Sequence, residues 1–317
     1  MDRRAVLRSQ PASTVVGMAP SSDPHHRPTL RRALDRRGFL SAGAAAGATW
    51  LLGACGGDSS NSGGPAAPDA FGIVQRFPNL NLFTPGDVRL PISITDGQSV
   101  MTTGPDVLSG WVETFDGERV AEVSAPRRDT GIVLPYWEVR VVLQRAVIHT
   151  LRLDGDDGYG ATFEVWDPAD VPTPLLGGQL PPLETPTVDD PRGVNPYCSL
   201  TPEPCPLHTE TLAAALQRGV PVAFVVGTPA HCQTGTCAPG LEILVAEYER
   251  LGDRMAMVHA DVYADAAATV TAPVVEELSL DYEPVVYLVD AGGTVVDRLD
   301  GIWDASELRE RLDLLLA

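Results

Sequence analysis

Eight prolines fall between residues 168 and 196, and no helix or central strand can run through them. Each fixes its own φ, removes a backbone donor and biases the residue before it away from the helical region. The short apolar pieces between them, such as Leu175-Leu176, suit an extended connector that packs in part. This break divides the chain into two stretches whose hydrophobic periods differ.

Upstream, residues 71–167 alternate. Trp137, Val139, Val141 and Leu143 interleave with Glu138, Arg140, Val142 and Gln144, and Tyr159, Ala161, Phe163 and Val165 with Gly160, Thr162, Glu164 and Trp166. Period two predicts half-buried strands. Asp116-Gly117 and residues 154–158 (DGDDG) supply turns between the runs. An all-β immunoglobulin-like sandwich is the expected fold for this part. No catalytic constellation stands out in it; His149 lies within a strand pattern and reads as a packed or solvated histidine rather than a ligand.

Downstream, residues 197–317 change grammar. Residues 209–218 read as a helix stopped by Gly219, 220–226 (VPVAFVV) as an apolar strand, and 239–251 (PGLEILVAEYERL) as an amphipathic helix stopped by Gly252. A strand follows over 255–262, then a helical piece near 274–278, two strands flanking the turn 290–293 (DAGG), and a last helix over about 304–316. Met255 and Met257 alternate in their strand and read as core. Cys232 and Cys237 lie in the loop before the second helix, where unpaired amides and the helix dipole favour a thiolate. Pro239 suits an early helical position, where its missing donor is not needed.

This order of apolar strand, Cys-bearing loop, helix, strand, and Glu283-Pro284 opening a hairpin that ends at Gly301 resembles the thioredoxin superfamily. The resemblance covers residues 197–317. It implies an α/β fold with a mixed sheet flanked by helices, and a cis-Pro284 facing the active-site sulfurs. It also implies that Cys232 attacks and that Cys237 resolves the mixed disulfide. The chain departs from the family in spacing its cysteines by four residues, which Gly235 permits by loosening the loop. It also departs in having His231 where tryptophan is common and Val226 where a buried acid is usual. His231 and Glu283 are the residues left to move a proton.

The N-terminus fixes the expected compartment. Residues 31–55 read RRALDRRGFLSAGAAAGATWLLGAC, an export signal. Arg36-Arg37 followed by Phe39-Leu40 resembles the twin-arginine type, and Leu52-Gly53-Ala54-Cys55 resembles a bacterial lipobox that would lipidate Cys55. The apolar run from 39 to 54 is shorter than the roughly 20 residues a membrane-spanning helix needs. The expected layout is a signal peptide at 1–54, a flexible linker at 55–70, the sandwich at 71–167, the proline-rich linker at 168–196 and the thioredoxin-like part at 197–317. The protein would then be held on the extracytoplasmic face of the membrane by a lipid on Cys55.

Four cysteines remain, an even number for an oxidising compartment, and four permit three pairings. Each of the pairs Cys198/Cys205 and Cys232/Cys237 is close in sequence and flanked by turn formers, so local pairing is expected, with Cys198–Cys205 as a structural staple or, as the alternative, a second redox pair that shuttles electrons to Cys232 and Cys237. The net charge is −19, and eight of the 23 basic residues, all arginine, precede Cys55, which leaves the remainder more acidic still. Nucleic acid is therefore not an expected partner.

The leading functional expectation is a thiol-disulfide oxidoreductase acting on extracytoplasmic protein thiols and disulfides, with no cofactor. A metal-binding module is the alternative, in which His231, Cys232 and Cys237, with His208 or Glu283, offer ligands for Cu(I) or zinc. A binding domain with redox-inactive, structural disulfides is the third.

Overall fold

The structure is a computed structural model of the chain and describes residues 70–317. The expected export signal, Cys55 and most of the expected linker at 55–70 lie outside the described residues. No helix among the described residues is long and apolar enough to cross a membrane.

The first half contains seven strands: β1 (Gly72–Gln75), β2 (Gly86–Thr95), β3 (Val107–Thr114), β4 (Arg119–Arg128), β5 (Tyr136–Leu143), β6 (Ile148–Leu153) and β7 (Ala161–Glu164). All pair antiparallel in one continuous sheet of order β1-β2-β5-β4-β3-β6-β7. The two edges approach one another. Gln75 Nε2 on β1 donates to Thr162 O on β7 at 2.6 Å, and Phe71 N donates to Gly155 O at 3.2 Å. Trp166 N donates to Phe83 O at 2.7 Å. The result is a nearly closed, barrel-like sheet around Leu90, Ile92, Ile94, Trp137, Val139 and Phe163.

The expected immunoglobulin-like sandwich is therefore corrected. Alternation fixes which face of a strand is apolar, but not whether the strands divide into two sheets. Here β4 joins the two groups by pairing β3 along most of its length and β5 at Arg127 and Arg128. His149 is buried, stacks on Phe163 at 5.7 Å and donates from Nδ1 to Val147 O at 2.8 Å.

The second half holds α1 (Leu212–Leu216), β8 (Val222–Val226), α2 (Cys237–Leu251), β9 (Ala256–Ala260), α3 (Pro273–Glu277), β10 (Val285–Val289), β11 (Val295–Asp300) and α4 (Ala305–Leu315). Its sheet has the order β11-β10-β8-β9, with β8 and β9 parallel and the other pairs antiparallel. The expected helix-flanked α/β class is corrected as well. The described chain is mostly β and only 17% helical, because α1 and α3 are five residues each, little more than one turn. Propensity and stop signals mark where a helix can form, whereas its length is set by the surface available to pack on.

The proline-rich segment packs against this sheet. Leu180, Leu183 and Val194 join its core, Leu180 N donates to Gly293 O at 3.0 Å, and Val295 N donates to Gly178 O at 2.8 Å. The two halves meet where the outer face of β2 and β5 receives α4. Arg89 Nε donates to Glu307 Oε1 at 2.5 Å and its Nη2 to Oε2 at 2.6 Å, with both side chains buried. Tyr136 also donates to Glu307. Asp304 caps α4 by accepting from Glu307 N at 2.7 Å, and it accepts from Thr130 N at 2.8 Å. The polar stripe of β5 is a docking face.

Candidate functional site

Strand β8 is apolar and buried at every position, and the chain leaves it into the loop 227–236. Helix α2 then begins at Cys237 itself, two residues before Pro239. Cys232 and Cys237 form a disulfide with their Cα atoms 5.9 Å apart. Thr236 at the helix cap makes no capping hydrogen bond; the Cys237 amide is donated instead to Cys232 Sγ at 3.2 Å. The two sulfur-bearing residues differ in exposure: Cys232 is half-buried and Cys237 only 2% exposed. On reduction, the accessible sulfur is thus also the one at the positive end of a 15-residue helix.

The surroundings of the pair are polar and open. Cys232 Sγ lies 3.2 Å from Thr234 Oγ1, and Thr236 Oγ1 donates to Gly301 O at 2.7 Å. Glu283 accepts the Thr228 amide, and burial pushes its carboxyl up, with the Thr228 hydrogen bonds opposing. The peptide bond before Pro284 is cis. A Cβ placed on Gly227 would stand 3.1 Å from Pro284 Cβ and 3.7 Å from Cys237 Sγ, so this glycine lies in contact range of both. His231 is exposed and turns away from the sulfurs, donating from Nε2 to Ala266 O at 3.2 Å. Three clefts adjoin the loop. One of about 380 Å³ is lined by Gln233, Thr234 and Glu283, one of about 330 Å³ by Thr234, Thr236 and Gly301, and one of about 310 Å³ by Thr228, His231 and Cys198.

A second cluster lies on the far side of Gly227. Cys198 and Cys205, expected as a staple, are both free and buried. They converge with His208 and His259, and one ligand atom of each of these four residues lies within 4.8 Å of every other. The positions follow from the backbone. His259 N donates to Leu207 O at 3.1 Å, which lays the segment carrying Cys205 and His208 beside β9, and Cys205 N donates to Cys198 Sγ at 3.3 Å. His259 Nδ1 lies 3.4 Å from Cys205 Sγ, 3.7 Å from Cys198 Sγ and 3.0 Å from His208 Nε2.

Electrostatics in the cluster are strongly perturbed. The hydrogen bond between the two sulfurs lowers the Cys198 thiol and raises that of Cys205. Burial opposes charging of His259, but the hydrogen bond with Cys198 and the carboxylate of Asp261 outweigh it and raise its pKa. Asp261, 3.3 Å from His259 Nε2, is itself pushed up to about 6 by burial.

Among the described residues, this is the group of cysteines, histidines and acids that comes together at metal-ligand range; His231, Cys232 and Cys237 do not join it. His208 belongs with Cys198, Cys205 and His259 rather than with the Cys232 loop. His259 escaped the sequence reading, though a signal was present. It stands two residues beyond Met257 and four beyond Met255, on the same apolar face, where a polar residue needs a partner.

Compared with known proteins, the chain matches no family model and no curated sequence. The thioredoxin-like resemblance rests on the sequence features alone.

Proposed function

We propose that the protein is a thiol-disulfide oxidoreductase working through Cys232 and Cys237 on protein substrates outside the cytoplasm, tethered by a lipid on Cys55. The observation that carries this reading is the asymmetry of the pair: a half-buried sulfur that accepts the first amide of α2, bonded to a buried one. The Cys232 thiolate attacks a substrate disulfide, and one substrate sulfur leaves as thiolate and takes a proton. Cys237, deprotonated, then attacks Cys232 Sγ, closing the Cys232–Cys237 disulfide and releasing the second substrate thiol. Two electrons pass to the substrate, and the reverse sequence oxidises a dithiol.

The clefts on either side of Thr234 leave room for a substrate chain to lie across the loop. Glu283, its pKa raised by burial, is the group placed to relay a proton to or from the loop. The test is trapping. Cys237→Ser should accumulate a mixed disulfide between Cys232 and a substrate protein, whereas Cys232→Ser should form none. Equal trapping by both variants, or by neither, removes the assignment.

A further inference from the structure

The second cluster is not needed for exchange at Cys232 and Cys237, and its four residues have a geometry of their own. His259 Nε2 lies 2.8 Å from Gly227 O, and a carbonyl only accepts, so this nitrogen carries the proton. His208 Nδ1 lies 3.2 Å from Pro186 O and is fixed in the same way. In the neutral rings, the two remaining nitrogens, His259 Nδ1 and His208 Nε2, are therefore bare acceptors. They face each other at 3.0 Å, with both cysteine sulfurs alongside. Four electron-rich atoms converging in a buried space repel one another unless protons or a cation stand between them, and one cation serves all four at once.

The spacing fits a particular cation. Tetrahedral zinc with Zn–S near 2.3 Å and Zn–N near 2.05 Å sets its ligands about 3.6 Å apart for sulfur and nitrogen and about 3.3 Å for two nitrogens. The two sulfur–nitrogen separations to His259 Nδ1 are 3.4 and 3.7 Å, the nitrogen–nitrogen separation is 3.0 Å, and the other ligand atoms of the set lie within 4.8 Å of one another. Two thiolates and two neutral imidazoles balance a divalent charge, which matters where the ligands are between 0% and 5% exposed. The carbonyls behind both histidines are the outer partners that orient metal-bound imidazoles. Cys198 and Asp261 also line the cleft of about 310 Å³, which opens a route from the surface.

We propose that Cys198, Cys205, His208 and His259 form a closed, four-coordinate zinc site that ties the segment 196–208 to β9. The proposal does not rest on the redox reading of Cys232 and Cys237. The full chain, reduced and stripped with a chelator, is titrated with cobalt(II) and then zinc(II). One equivalent of cobalt should bind with a thiolate-to-metal charge-transfer band and the intense visible absorption of a tetrahedral site, and zinc should displace it. Cys198→Ser and His259→Ala should lose stoichiometric binding, whereas the double variant Cys232→Ser/Cys237→Ser should keep it. The wild-type spectrum decides even if a buried variant fails to fold. The proposal is overturned if the reduced wild type takes up no stoichiometric metal, or if its cobalt spectrum is octahedral. It is equally overturned if binding follows Cys232 and Cys237, or if peptide mapping of the purified protein finds Cys198 disulfide-linked to Cys205.

Discussion

Gly240 shows how a single residue can invert a general rule. In a helix interior, alanine is ordinarily better than glycine by roughly 0.5–1 kcal/mol. A Cβ here would lie 2.6 Å and 2.9 Å from ring carbons of Trp303, which is buried and donates from Nε1 to Gly240 O at 3.1 Å. The ring is buried and hydrogen-bonded to the helix itself, so overpacking should outweigh propensity. Gly240→Ala should destabilise by about 1–3 kcal/mol, read as a lower urea midpoint at unchanged slope. A raised midpoint would mean that Trp303 repacks freely. At this same scale the pairing of Cys232 with Cys237 was legible, because two cysteines close in sequence around Gly235 can meet through local geometry alone. For His259 the sequence offered only a polar residue on an apolar face and not its partners, which come from 51 to 61 residues away in the chain.

Among the elements, α4 depends most on charge. Its Glu307 is fully buried and faces Arg89 on β2, Tyr136, Glu138 and Arg140 on β5, and the cap residue Asp304. Burial opposes ionisation of Glu307, but Arg89 overcomes it, with Tyr136 helping, and the carboxyl is held at about 2 against an ordinary 4.5. A depressed folded-state pKa stabilises above the unfolded value and is lost as pH falls through the folded one. Stability should therefore drop between about pH 4.5 and pH 2, by an amount on the order of 3 kcal/mol. Glu138, pushed up by burial and by Glu307, offsets part of it. In urea titrations at a series of pH values, Glu307→Gln should be less stable than wild type at pH 7 and show a flatter acid limb. A parallel acid limb in the variant would place the titration elsewhere. The strands themselves were readable from their period, and the hairpin β10–β11 from Asp290 and its glycines, since those signals are local. That the polar face of β5 is a docking surface was not readable, because Arg89 and Glu307 are 218 residues apart.

In the whole molecule, the proline-rich segment is less a boundary than part of the packing, and the described residues, 70–317, fall in one compact unit. Prolines announce that a segment is irregular; whether it swings free depends on Leu180, Leu183 and Val194 finding a core. With Arg89, Arg128 and Tyr136 bonded across to α4, the barrel-like sheet and the mixed sheet should unfold together in a single calorimetric transition. Two resolved transitions would show independent domains. Cysteine chemistry remains the central claim, and its most direct measurement is alkylation of the reduced protein as a function of pH, followed separately at Cys232 and Cys237. Cys232 should react first, with a thiol pKa below the free-cysteine value of about 8.5, and Cys237 should react slowly. A Cys232 pKa at or above that value, or faster reaction at Cys237, would contradict that claim and leave the disulfide a structural one.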